Sequence, residues 1–203
     1  MSKYLLFIIL FSVSCRLMAQ PEITKERLAE FKKLTEQRVN DLQEYISIIG
    51  NKELSMEQRQ QAIELAVSLF EKDYKVIEKG KEMRRSPYIQ VSRRDGTVES
   101  VPLRAYFNNL LGVRFDKVEI TYYDTAAVSD FEKGTDGNYH ATATYFQQFK
   151  GFKAGKMIYG SKDRKDIRVT GKSMEVYKSL GKEDLKIFFG DITVKETKPI
   201  TGN

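Results

Sequence analysis

Residues 88–101 read YIQVSRRDGTVESV, and this stretch decides the fold expected for the chain. Two runs with the composition of β-strands flank Asp95-Gly96, a pair that supplies the positive φ of a tight hairpin turn. Before Pro87 the apolar residues recur with helical spacing, whereas after it they recur mostly at every second position. The hairpin therefore marks the point where a helical part gives way to a sheet.

Two helices are expected before the hairpin. In the first, Thr24–Ile49, apolar residues recur at three- and four-residue steps, and Gly50 ends the helix. The second begins with the capping box of Ser55 and Gln58 and is expected to stop at Gly80. Its apolar stripe consists of Ile63, Ala66, Val67, Phe70, Tyr74 and Ile77. Neither stripe sustains heptads, so we expect both helices to cover a sheet.

The rest of the chain is expected to contain one short helix followed by antiparallel strands. Pro102 precedes the helix over Leu103–Leu111, and Gly112 closes it. Period-two patterns predict strands over residues 115–123, 139–149, 157–160, 166–177 and 184–196. At Gly190 the alternation changes parity, which predicts a β-bulge and a curved sheet.

This order of elements predicts an α+β fold, with N-terminal helices packed on a bent antiparallel sheet. Four short phrases accompany it: VPLRAYFNNL (101–110), KVEITYYD (117–124), QQFKGF (147–152) and FGDITV (189–194). In element order and in these phrases the chain resembles the nuclear transport factor 2-like superfamily, and more closely its exported bacterial members of uncharacterised function. The resemblance implies a cone-like sheet over roughly residues 55 to 197 and carries over no activity.

Residues 4–14, YLLFIILFSVS, are uncharged and mostly apolar and follow Lys3. The run is too short for a conventional membrane span but has the length of the apolar region of a signal peptide. We expect cleavage after Ala19 and hence a periplasmic or extracellular protein without a transmembrane span. In a second interpretation, a small residue before Cys15 is a lipoprotein signal, and the mature chain is lipid-anchored at Cys15.

These segments divide the chain into four parts. They are a signal peptide (1–19), an N-terminal amphipathic helix (20–54), a cone-like α+β domain (55–197) and a frayed tail (198–203). Cleavage after Ala19 removes the only cysteine, so the mature chain would have no disulfide. The net charge of +6 is mild. The basic residues of Lys162–Lys172 are interleaved with Asp163 and Asp166, which is typical of a solvated turn, so no nucleic-acid partner is expected.

The titratable residues favour no catalytic site. The strand alternation places His140, the only histidine, opposite the apolar face. Asp124 shares parity with Tyr122, so it could act as a base at the mouth of the cone, with Tyr122 or Tyr145 polarising a carbonyl. The simpler interpretation is that Asp124 ends its strand. Asp191, after Gly190, is expected to satisfy local backbone N–H groups.

Metal and cofactor sites find no support in the sequence. Asp130, Glu132 and Asp136 lack the spacing of a calcium loop, and there is no nucleophile motif or phosphate-binding glycine loop. We therefore predict no catalytic residue, no metal and no cofactor.

The aromatic content is the positive signal, with eleven tyrosines, twelve phenylalanines and no tryptophan. A surplus of tyrosine on a curved sheet can line a ligand pocket or a protein interface. The candidate pocket or interface residues are Tyr106, Tyr122, Asp124, Tyr145 and Phe149. The leading hypothesis is a non-enzymatic binding or assembly module in which the cone sheet pairs with itself or with a protein partner and the Thr24–Ile49 helix is available for docking. The alternatives are a small-molecule enzyme or carrier that uses the cone pocket, and a lipoprotein subunit.

Overall fold

The computed structural model describes residues 24–93, 95–123, 127–177 and 182–200. The predicted signal peptide, with Ala19 and Cys15, lies outside these residues. So do Asp124 and residues 201–203.

Three helices and ten strands occur in these segments. The helices are α1 (Lys25–Gly50), α2 (Met56–Ser68) and α3 (Leu103–Leu111). The strands are β1 (Lys75–Glu78), β2 (Lys81–Arg84), β3 (Tyr88–Ser92), β4 (Val98–Pro102), β5 (Lys117–Tyr122), β6 (Ala127–Val128), β7 (Glu132–Lys133), β8 (Tyr139–Lys153), β9 (Lys156–Tyr177) and β10 (Lys182–Pro199). None of these helices has the length and apolar character needed to cross a membrane.

The protein is α+β and rich in sheet. One eight-stranded sheet has the order β4-β3-β10-β9-β8-β5, with β6 and β7 paired along β8. The pairs are antiparallel except that β3 runs parallel to β10, with Ile89 opposite Ile192. The expectation of a wholly antiparallel sheet is therefore wrong. The β3–β4 hairpin joins the sheet beside the last strand, β10, and its strand β3 runs in the same direction as β10.

Local sequence signals set several element ends as predicted. The Thr24 hydroxyl accepts from the Arg27 N–H at 3.3 Å and caps α1. The capping box of α2 is complete, with Gln58 N–H to Ser55 Oγ at 3.2 Å and Ser55 N–H to Gln58 Oε1 at 3.0 Å. Gly96 has φ +82° in the β3–β4 turn, which only glycine adopts without strain. The predicted hairpin and capping box are confirmed.

The predicted end of α2 at Gly80 is wrong. The helix stops at Ser68, and the next residues form the separate two-stranded sheet of β1 and β2. Lys79 and Gly80 both have positive φ, 51° and 75°, and make the turn between these strands. Phe70 ends the helical register by forming a bridge with Phe189 of β10. The glycine that suggested a helix stop is therefore a hairpin glycine.

The predicted solvated turn within Lys162–Lys172 is also wrong. This segment lies in the middle of β9, a single 22-residue strand that replaces the two expected strands. It remains a strand because its residues still alternate between the two faces of the sheet, although polar residues occupy both faces. The partner strand β10 continues beyond Glu196, its predicted end, and Pro199 pairs with Ser161 of β9. The expected frayed tail is thus part of the sheet as far as Pro199.

The helical layer and the sheet share one core. α1 packs against α2 and against the sheet, and α2 packs against α1 and α3. The buried apolar stripe of α1 consists of Phe31, Val39, Leu42, Ile46 and Ile49. Because this stripe is covered, α1 is an integral part of the domain. Its apolar face is not available for docking, contrary to the hypothesis drawn from the sequence. The register of β10 shifts between Phe189 and Ile192, which confirms the bulge at Gly190.

Candidate functional site

The inner face of the sheet changes character along β8 and β9. At one end, paired small and aliphatic residues pack under the helices; we call this the apolar half, and it consists of Ala141, Ala143, Ile167, Val169, Ile187, Phe189 and Ile192. The same rows of the two central strands continue into a second group, which we call the polar half: Tyr145, Gln147, Ser161, Asp163 and Lys165. All residues of both groups are buried. A buried polar cluster of this kind needs partners or a ligand.

A cavity of about 390 Å³ lies over the polar half, between α3, the β3–β4 hairpin and the strands β8 and β9. Aromatic rings form part of its wall. The ring centroid of Phe149 lies 5.9 Å from that of Phe115 and 5.8 Å from that of Tyr159. Phe115 reaches this position because Gly151 has no side chain: a Cβ there would lie 2.7 Å from the Phe115 ring.

An ion pair lies at the floor of the cavity. Lys165 Nζ is 4.0 Å from Asp163 Oδ2, and both side chains are over nine-tenths buried. Asp163 Oδ1 accepts from Ser92 Oγ at 3.1 Å and from Thr197 Oγ1 at 2.8 Å, whereas Oδ2 has Ser161 Oγ at 3.5 Å. Burial lowers the pKa of the Lys165 ammonium, and the Asp163 carboxylate opposes that shift. Among the residues described, Lys165 Nζ therefore retains donor capacity, and Asp163 Oδ2 retains acceptor capacity, toward the cavity.

Three tyrosines belong to this region: Tyr106 lines the cavity, and Tyr145 lies opposite Lys165 with Tyr122 beside it. Burial raises the pKa of Tyr106, Tyr122 and Tyr145, so all three remain neutral phenols at ordinary pH. The Gln147 amide lies within reach of the Tyr106 and Tyr122 hydroxyls. In the described part of the chain the buried Tyr122 hydroxyl still has no hydrogen bond of good geometry. These groups can donate and accept hydrogen bonds, but they are poor proton acceptors.

The mouth of the cavity is polar and open to solvent. Arg93, just after β3, and Glu99 of β4 form an ion pair there, with 57% and 46% of their side chains exposed. Asn109 of α3 is also exposed at this rim. The lining thus pairs each positive charge with a negative one, at the rim and at the floor.

Four of the five predicted pocket residues lie in two groups. Tyr106 and Phe149 line the cavity. Tyr145, opposite Lys165, and Tyr122 lie side by side with ring centroids 6.2 Å apart, and both are largely buried. Asp124 lies outside the described residues, so its predicted role as a base stays a prediction.

His140 and Asp191, two further residues considered in the sequence, lie outside the cavity. His140 faces away from the core with 39% of its side chain exposed, and its Nε2 is 3.0 Å from Asp136 Oδ1. Asp191 accepts two hydrogen bonds from Arg85 and one from the Tyr88 N–H, all at 2.8 Å. It therefore fastens β3 and the β1–β2 hairpin to the bulge of β10, rather than capping only its own neighbours.

Sequence reasoning missed Asp163, Lys165 and Gln147. Counting back from Val169 and Ile167 in steps of two leads to Lys165 and Asp163, so the signal was present in the strand parity. It was overlooked because a Lys-Asp-Arg-Lys-Asp run has the composition of a surface turn.

A depression of about 510 Å³ between the end of α1 and β5 is lined mainly by charged residues such as Lys52, Glu53 and Asp116, and its apolar members come mostly from β5. Within the residues described, no cluster of histidine, cysteine, aspartate or glutamate could hold a metal ion. No protein-family model, curated protein or solved structure matches the chain.

Proposed function

We propose that this protein is an exported, non-enzymatic module that binds a small molecule with a ring-containing apolar body and an uncharged polar head. The observation that carries the proposal is the buried Asp163–Lys165 pair at the floor of an aromatic-walled cavity. Specific ligand sites combine a mostly apolar wall with a few convergent polar groups in this way.

The apolar body is assigned from the walls of the cavity. Phe115, Phe149 and Tyr159 form a contiguous aromatic cluster, to which Leu110 and Val113 add aliphatic surface. Flat rings gain additional favourable contacts against such a wall in offset or edge-on arrangements. The volume of about 390 Å³ accommodates a ligand of one or two fused rings.

The uncharged head is assigned from the charge balance of the floor. Asp163 and Lys165 neutralise each other, so a neutral head leaves no net buried charge, whereas a carboxylate or an ammonium group would. Lys165 can donate and Asp163 Oδ2 can accept. A hydroxyl or amide group, which both donates and accepts, therefore matches the floor.

Three probes with one ring system test this assignment by isothermal titration calorimetry. We expect 2-naphthol to bind most tightly, naphthalene more weakly because it leaves the floor unpaired, and naphthalene-2-carboxylate more weakly because it adds a buried charge. The proposal fails if the carboxylate binds best, or if none of the three binds.

Two valine variants locate the binding. Val113→Trp places an indole in the cavity and should abolish binding of 2-naphthol. Val98→Trp makes the same change at an exposed position of β4 outside the cavity and should leave the affinity unchanged. Equal loss in both variants, or in neither, would contradict binding at this site.

Export and family are part of the same proposal. Residues 4–19 support export, and the order of helices, hairpin and strands supports a cone-like member of the nuclear transport factor 2-like superfamily. Intact-mass analysis of the protein from its native host tests export directly: a mature chain that begins at residue 20 supports it. A lipid-modified Cys15 at the N-terminus would replace it with the anchored alternative.

A second candidate, an assembly module, is favoured by the β1–β2 hairpin. Ile77 is 80% exposed and Met83 46% exposed on this two-stranded sheet. By the register of the hairpin the two side chains lie on opposite faces, and Ile77, the more exposed of them, is the candidate contact residue. Light scattering tests this candidate: a concentration-dependent dimer that Ile77→Lys abolishes supports it, and a monomer at all concentrations removes it.

A further inference from the structure

Lys165 has a second chemical capacity besides hydrogen bonding. We infer that the cavity captures aromatic aldehydes covalently, through an imine between Lys165 Nζ and the carbonyl carbon. The inference rests on the proposed function, because the aldehyde is a ligand whose ring body occupies the same aromatic wall.

The geometry leaves the Lys165 nitrogen available. Its side chain is 4% exposed and lines the cavity, and its distance of 4.0 Å from Asp163 Oδ2 exceeds that of a hydrogen bond. Within the part of the chain that the structure describes, Asp163 is its ionic partner. A carbonyl group at the floor would therefore meet the amine without displacing a hydrogen bond that holds it.

The environment also favours the reactive form of the amine. Burial lowers the pKa of Lys165, so at any given pH more of it is the neutral nucleophile than for an exposed lysine.

The step balances with the groups present. Asp163 Oδ2 takes a proton from the Lys165 ammonium, directly or through one water, and the freed amine attacks the carbonyl carbon. The C–N bond forms as the C=O π bond breaks, and the excess proton on the attacking nitrogen passes to the carbonyl oxygen to give a neutral carbinolamine. The protonated Asp163 then returns its proton to the hydroxyl group, which leaves as water. The product is a protonated imine that keeps one positive charge beside the Asp163 carboxylate, so no redox partner is needed.

Reductive trapping with 2-naphthaldehyde tests the inference. The full mature protein is incubated with the aldehyde and sodium cyanoborohydride, and peptide mapping by mass spectrometry locates the reduced naphthylmethyl groups. Because the cavity holds the aldehyde next to the buried amine, we expect Lys165 to be labelled about tenfold faster than Lys153. Lys153 is an exposed lysine at the end of β8 and serves as the control within the same molecule.

Two further measurements connect the labelling to the cavity. An excess of 2-naphthol should suppress labelling at Lys165 but not at Lys153, and Val113→Trp, which keeps Lys165, should do the same. Lys165→Arg should lose the adduct, and circular dichroism shows whether that variant is folded.

The outcomes separate the two proposals. If 2-naphthol binds but Lys165 is labelled no faster than Lys153, the imine inference is overturned and the binding function stands. If 2-naphthol does not bind and labelling is uniform, both are overturned.

Discussion

The apolar half and the polar half of the inner sheet face share the strands β8 and β9 but have different roles. In the apolar half, Ala143 and Ile167 are opposite each other and completely buried under the helices. One pair further along, Tyr145 is opposite Lys165, and the next pair joins Gln147 to Asp163. Backbone pairing is continuous across this boundary, so the change is made by the side chains alone.

This difference indicates where the protein places stability and where it places a site. Buried aliphatic and aromatic contacts stabilise the fold, whereas a buried ion pair at a distance of 4.0 Å recovers only part of its cost of desolvation. Proteins keep such locally unfavourable groups mainly where a ligand or a reaction uses them. The comparison therefore makes quantitative predictions for the two halves.

The largest effect is expected in the apolar half. Phe189→Ala removes a completely buried ring whose centroid lies 5.8 Å from that of the Phe70 ring. It should lower the free energy of unfolding by about 3–5 kcal/mol. Phe149→Ala is the matched change at the cavity wall. It removes the contacts of this ring with the rings of Phe115 and Tyr159 beside the cavity, and it should lower the free energy of unfolding by about 1–2 kcal/mol. Urea unfolding measures both. Equal costs would remove the distinction between the halves.

The next effect concerns the buried pair. Lys165→Met leaves the Asp163 carboxylate buried without its ionic partner and should cost about 3 kcal/mol. The double variant Asp163→Leu/Lys165→Met removes both charges and should lie within about 1 kcal/mol of the parent protein, or be more stable. The Ser92 and Thr197 hydroxyls, which both donate to Asp163 in the parent, lie close enough for one to donate to the other in that variant.

Urea unfolding of the two variants decides whether the pair is kept for function. A double variant as unstable as Lys165→Met would mean that the pair is structural. The binding proposal predicts the opposite combination, in which stability is retained and affinity for 2-naphthol is lost.

The contrast between the halves also explains which features were predictable from sequence. Local signals fixed the caps at Thr24 and Ser55 and the turn at Gly96, since each depends on neighbouring residues only. The apolar half follows from period two along β8. The helix stop assigned to Gly80 failed because a glycine with positive φ ends a helix or turns a hairpin equally well.

The polar half was not predicted, for a different reason. Composition assigns a charged run to solvent, and it outweighed the strand parity that connects Val169 and Ile167 with Lys165 and Asp163. The pairing of these two residues with Tyr145 and Gln147, which places them inside, is a long-range property of the sheet. Aromatic residues were a better guide, because Tyr106 and Phe149 were named from their clustering and do line the cavity.

A smaller effect distinguishes two tyrosines near the site. Tyr122→Phe removes a buried hydroxyl that lacks a well-formed hydrogen bond among the described residues, so the protein should become about 1 kcal/mol more stable. Tyr159→Phe removes a hydroxyl that donates to the Ser92 carbonyl at 2.9 Å and should lose about 1 kcal/mol. Thermal unfolding of the pair checks the signs. Destabilisation by Tyr122→Phe would show that its hydroxyl contributes to the fold.

The smallest effect compares the buried pair with an exposed one on the outer face. Desolvation is the largest single influence on the pKa of Asp136 and raises it, but the hydrogen bonds from His140 and Asn138 together outweigh it and lower the pKa to about 2, from an ordinary 3.8. Because the folded state has the lower pKa, the stabilisation is complete above the ordinary value and is lost as the pH falls from about 4 to about 2. Half of the Asp136 side chain is exposed, so solvent screening limits the contribution to about 0.5 kcal/mol. The difference in unfolding free energy between the parent and Asp136→Asn should therefore shrink by that amount over this pH range. A change as large as that expected for Lys165→Met would mean that burial does not decide the value of an ion pair in this protein.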